Sequence, residues 1–202
     1  QNVFFEYDMK TKQLVIYKDG IKDTGAYPII TCLSGKIHLI GGRLNSLHLI
    51  WDEETRKFTE RYFRAKMIHG HSVIPLESTK QLLVLGGNDS HLWGGYLDSM
   101  YLCDMQPKIK WKELSSTMPH KMFHFGAIKT KDESMVIVFG GKSKTGLMNE
   151  IWILNLSTFE WTLSDVKCPK KGKFYAVKSR DGYVHLFEID TKNYWKSKTG
   201  LM

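Results

Sequence analysis

Three stretches of the chain run from polar residues into an unbroken apolar segment and stop at a glycine pair: KIHLIGG at 36–42, QLLVLGG at 81–87 and SMVIVFGG at 134–141. Their apolar residues are contiguous rather than alternating, the pattern of strands covered on both faces. Each run is too short for a helix, is rich in Val, Ile and Leu, and is free of Pro. A second run precedes each of the later pairs, as in HSVIP at 71–75 and FGAI at 125–128, joined by the polar links ESTK and KTKDES. Residues 176–181 (AVKSRD) match 127–132 (AIKTKD) position for position and lead through Gly182 into YVHLFEI at 183–189. Such connections between apolar runs predict hairpins.

Beyond each glycine pair lie a polar loop and two further predicted strands. The third strand carries Leu47–Ile50, Met100–Leu102 or Ile151–Leu154 and ends at Asp52, Asp104 or Asn155. An aromatic follows six or seven residues later: Phe58, Trp111 or Trp161. Thr55 and Thr158 stand three residues past their Asx, as Thr11 stands past Asp8, and an Asx side chain that bonds the backbone just ahead starts a tight turn. The unit is therefore four strands, a–b–c–d. Gly41 to Gly86 is 45 residues, Gly86 to Gly140 is 54, and Gly140 to Glu188, which holds the glycine place in the last unit, is 48. A four-stranded meander about every fifty residues is one blade of a propeller.

A strand ending in Gly-Gly, an aromatic-containing strand, and Trp a few residues past Asp or Asn resemble the kelch repeat, whose period agrees. The residues that carry the resemblance are Gly41–Gly42, Gly86–Gly87, Gly140–Gly141, Tyr101, Trp152, Trp111 and Trp161. Phe58 and Leu14 depart from it where Trp is expected, as does Glu188–Ile189 where a glycine pair is. The resemblance implies an all-β, kelch-type β-propeller filling residues 1–202 as one domain.

The heptapeptide KSKTGLM occurs at 142–148 and again at 196–202, and the chain starts with strands c and d but ends with a and b. This predicts about four blades, three continuous and one composite of N- and C-terminal strands, whose pairing would remove exposed edges. The other expectation is part of a longer propeller cut inside a blade; the chain begins with Gln1 rather than Met.

Composition narrows the function. With 202 residues, 42% of them hydrophobic, the chain can bury a full core, and its apolar runs are too short to span a bilayer, so no membrane insertion is expected. Cys32, Cys103 and Cys168 are widely spaced and form no CxxC, which favours reduced thiols and a cytoplasmic, intracellular setting. The net charge is +8, and residues 166–202 hold nine Lys/Arg against three Asp/Glu. That balance permits acidic proteins, nucleic acid or anionic surfaces as partners. A basic patch with no base-reading motif disfavours nucleic acid.

His69, His71, His120 and His124 read as packing residues, since no further ligand is spaced to complete a metal site. No cofactor is expected. GxSxG, HExxH and P-loop patterns are missing, so an enzyme is not expected, although kelch-like folds include copper and iron enzymes.

The predicted function is a non-enzymatic protein-interaction scaffold; the alternatives are a metal-dependent kelch-fold enzyme and a basic nucleic-acid or anionic-surface binder. Similar proteins hold partners on the face where b–c and d–a loops emerge, and binding residues favour loops on a rigid scaffold. The candidates are Arg43, Asn45, Asn88, Asp89, His91, Trp93, Lys142 and Lys144 from b–c loops, with Arg61, Arg64 and His120 from d–a loops. Their cations would suit an acidic peptide segment.

Overall fold

The computed structural model describes residues 4–17, 28–42, 47–62, 68–89 and 95–198. Among them every regular element is a strand. A hairpin of β1 (Phe4–Asp8) and β2 (Gln13–Tyr17) comes first, and four sheets follow in chain order. Blade I holds β3 (Ile29–Leu33), β4 (Lys36–Ile40), β5 (Leu47–Asp52) and β6 (Lys57–Tyr62). Blade II holds β7 (Ser72–Leu76), β8 (Gln81–Asn88), β9 (Tyr96–Asp104) and β10 (Lys110–Glu113). Blade III holds β11 (Met122–Phe123), β12 (Gly126–Lys129), β13 (Met135–Ser143), β14 (Gly146–Asn155) and β15 (Trp161–Lys167), with β11 and β12 both on β13. Blade IV holds β16 (Phe174–Lys178), β17 (Tyr183–Glu188) and β18 (Tyr194–Lys198). All pairing is antiparallel, and the first strands β3, β7, β12 and β16 touch in succession. They are the inner strands of a propeller-like arrangement of four blades.

The contiguous apolar runs have the role their pattern predicts. In β8, Leu82 and Val84 pack with Ile40 and Leu33 of blade I, while Leu83 and Leu85 pack with Val136 and Val138 of blade III. In β13, Ile137 and Phe139 turn the other way, onto Phe174, Val184 and Leu186 of blade IV. Each middle blade is thus a two-sided strand set between two cores, so neither face can alternate with polar residues. The indoles close the outer part of the same layers, Trp111 at the blade I–II core and Trp152 and Trp161 at the II–III core. Blade IV differs. Val184 and Leu186 are buried on blade III, but Tyr175, Val177, Phe187 and Tyr194 are exposed on the far face.

The glycine pairs interlock consecutive blades. A Cβ on Gly41 would stand 2.5 Å from the His71 ring, one on Gly86 3.1 Å from the Phe125 ring, and one on Gly140 2.6 Å from the Phe174 ring. His71, Phe125 and Phe174 open the inner strand of the following blade, so the first glycine of each pair admits the next blade's ring. The second glycine serves its own blade: Cβ atoms on Gly87 and Gly141 would meet those of His71 and Phe125 at 3.0 and 2.9 Å. Among the described residues no ring of a later blade packs on Glu188, and the need for glycine lapses there.

The Asx turns form as predicted. Asp8 Oδ1 accepts from the Lys10 and Thr11 amides, Asp52 Oδ1 from the Thr55 amide and hydroxyl, and Asn155 Oδ1 from the Ser157 and Thr158 amides.

Two expectations are corrected. The composite blade does not form among the described strands: β1 pairs with β2, and the free edge of β17 is occupied by β18, with Leu186 opposite Trp195. The hairpin instead leans on blade I, where Tyr17 meets Trp51 edge-on at 5.0 Å. Nor do the two KSKTGLM copies hold equivalent places. The first makes the β13–β14 hairpin, with Ser143 opposite Gly146, whereas Lys196, Ser197 and Lys198 of the second lie in β18. Residues 199–202 lie outside the described residues. Identical residues need not hold identical registers, because the b–c link of blade IV has already been spent before Tyr194.

Candidate functional site

Antiparallel pairing puts the b–c and d–a connections on one face and the a–b and c–d turns on the other. Among the predicted binding residues, Arg43, Asn45, Arg64, His91 and Trp93 lie outside the described residues. The rest are distributed over the b–c/d–a face and its margin. Asn88 is buried, its main chain exchanging hydrogen bonds with that of His69 at 2.9 and 3.1 Å, and the Asp89 amide donates to the Gly95 carbonyl. Arg61 lies in β6, opposite His48, and its Nη1 donates to the Glu60 carbonyl. Lys142 is opposite Phe123, and Lys144 is exposed at the tip of the β13–β14 hairpin.

His120 belongs to the best-defined group on this face. Its Nε2 is 3.1 Å from Glu150 Oε2, the Trp152 indole donates to the same oxygen at 2.8 Å, and the two rings meet edge-on at 5.7 Å. A d–a loop and the start of strand c thus share one carboxylate, and each ring restrains the other. This yields a half-exposed, pre-ordered facet of an aromatic, an imidazole and a carboxylate. Glu150 was not among the predicted residues. Its partner His120 is thirty positions away, and nothing local marks the carboxylate.

Four other histidines, His38, His48, His71 and His124, lie wholly or partly inside the fold. Burial pushes His48 and His71 down to about 3 and His124 to about 4, and lowers His38. His38 Nδ1 and His48 Nε2 are 2.9 Å apart, a contact that requires one ring to donate and the other to accept. Both are buried, so they serve packing in the neutral form. Among the described residues no three His, Cys, Asp or Glu side chains converge as metal ligands. Among the described residues no helix is long and apolar enough to cross a membrane.

On the opposite face, carboxylates stitch one blade to the next. Glu77, in the a–b turn of blade II, accepts from the Ser34 amide and hydroxyl in the blade I turn at 3.0 to 3.2 Å. Glu133, in the blade III turn, accepts from the Glu77 and Ser78 amides and the Ser78 hydroxyl at 2.9, 2.8 and 2.6 Å, and from Lys129. Burial alone would raise Glu133, but these donors hold it at about 2. Glu133→Ala should therefore cost about 2 kcal/mol, since several donors lose a charged acceptor together. Urea unfolding checks this; Glu133→Gln should recover part of the loss, and an unchanged midpoint would remove the stitch from the stability account.

No protein-family model matches the chain. It is similar to host cell factor homolog hcf-1 of Caenorhabditis elegans, 29% identical over 115 residues, 51% of this chain and 15% of that protein. It is also similar to Kelch domain-containing protein 10 of Bos taurus and of Homo sapiens, each 23% identical over 168 residues, 72% of this chain and 35% of theirs. The matched region is thus well under half the length of these relatives. Antiparallel sheets stacked in succession, the first three each clasping the next through glycine and ring, define a kelch-type propeller. Repeat, fold and these distant relatives are all consistent with the kelch-repeat family.

Proposed function

We propose that the chain is a cytoplasmic protein-interaction scaffold that holds an acidic segment of a partner on its b–c/d–a face. The observation that carries this reading is the His120–Glu150–Trp152 facet, with Lys142 and Lys144 on the neighbouring hairpin. Pre-ordered aromatic groups bind with little entropic loss, and an exposed cation beside them, Lys144, favours acidic partners. Kelch-type relatives support a scaffold at the level of the family. The three free cysteines, Cys103 and Cys168 buried with thiols pushed up to about 12, suit a reducing compartment.

The test is capture of partners from cell extract on the immobilised chain. His120→Ala combined with Lys144→Glu should reduce the retained proteins about tenfold, with the far-ultraviolet spectrum unchanged. Trp93→Ala, chosen from sequence, should act in the same direction. Undiminished capture by these variants would overturn the assignment to this face.

A further inference from the structure

The inner strands end on the a–b face around an axial groove of about 580 Å³. Its wall is apolar, from Val73, Ile74 and Pro75 of blade II and Ala127 and Ile128 of blade III. Its rim is the duplicated motif: Lys129-Thr130-Lys131 of blade III beside Lys178-Ser179-Arg180 of blade IV. Four cations therefore line it against one carboxylate, Glu133, which Lys129 already meets. Lys131 and Arg180 are exposed.

The third blade boundary also departs from the first two. Glu77 and Glu133 each carry a carboxylate back to the preceding turn, but at the boundary between blades III and IV Arg180 holds the place of Glu77 in its turn. Gly182 follows, at φ +85°, and a Cβ there would have no atom within 4 Å. Asp132 and Asp181 stand in these turns, and each is held locally, by the Ser134 amide and by the Ser179 hydroxyl.

We propose that this groove is a second docking surface, one that receives an acidic peptide segment of a partner protein. A partner carboxylate meets Lys131 and Arg180 at the blade boundary that lacks the turn-to-turn carboxylate of the first two, and an adjacent aliphatic side chain rests on the Val73–Pro75 wall. The volume is in the range of a ligand site, and four cations gathered on one rim set up a positive local field that favours carboxylates. The lining has no aromatic ring on which bases could stack, which disfavours single-stranded nucleic acid. This surface lies opposite the face of the proposed scaffold function, and the two stand or fall separately.

Fluorescence anisotropy with a fluorescein-labelled peptide of alternating Glu and Leu tests it on the whole chain. Saturable binding is expected that weakens about tenfold in Lys131→Glu/Arg180→Glu and weakens steeply with salt. Gly182→Glu, which offers a carboxylate in place, should displace the peptide; Gly182→Ala carries the same backbone strain and should not. Lys144→Glu, on the other face, should bind like the wild type. Absence of saturable binding would overturn the proposal, as would equal affinity in the double variant. Loss through Lys144→Glu alone would move the peptide to the loop face, and equally effective competition by an RNA oligonucleotide would reduce the groove to unspecific charge.

Discussion

Gly140→Ala is expected to destabilise the protein by about 3 kcal/mol or more, lowering the melting temperature by roughly 6–12 °C. The new methyl would stand 2.6 Å from two ring atoms of Phe174 and 2.9 Å from the Gly172 carbonyl oxygen, at φ +55°. Phe174 is fully buried between blades III and IV, with Trp195 edge-on at 5.8 Å, so it has nowhere to retreat. Two effects add here, backbone strain and overlap, and a control separates them. Gly35 has φ +75° and open space at its Cβ, so Gly35→Ala carries only strain, about 1 kcal/mol. Calorimetry on both variants decides the matter: if they melt together, glycine is present for its backbone alone and the ring contact contributes nothing.

Acid should weaken the fold well before carboxylates titrate. His48 and His71 have folded pKa values of about 3 because burial disfavours the cation. Their unfolded value is near 6.5, so the unfolded chain binds more protons between these limits. Their stabilising contribution is complete above pH 6.5 and is lost as pH falls toward 3. For the two together the loss reaches roughly 3 kcal/mol by about pH 5.5, with His38 and His124 adding in the same sense. Urea midpoints across this range measure it. His71→Phe is the informative variant, since Phe125 and Phe174 fill the corresponding place in the next two blades. It should remove about half of that dependence. A slope unaltered by His71→Phe would place the acid sensitivity elsewhere.

Much of the architecture was legible because it is written locally. Glycine after an apolar run, Asx before Thr, and Trp at a fixed offset each involve a few consecutive residues. Coverage on both faces could be read from Leu82–Leu85 and Val136–Phe139, since burial on two sides removes alternation. In YVHLFEI at 183–189 the one-sided packing was not legible: Phe187 is exposed between the buried Leu186 and Glu188, yet it is apolar and hides the alternation. The failure came at β18. Its YWKSK has too few apolar residues to announce a strand, and the eye is drawn instead to a heptapeptide identity that carries no register. Candidate sites were less legible for a related reason. Glu150 gains its meaning from His120 on a separate loop, and the axial groove exists only where inner strands from three blades end together.

The staggered clasp of glycine and ring also changes what counts as a transferable part. Half of each lock belongs to one sheet and half to its successor, so a chimera joined between sheets would separate the two halves. A graft cut instead within a sheet, after the inner strand and before the glycine-bearing one, would carry matched halves along. Engineers shuffling this wheel should trade junctions rather than blades.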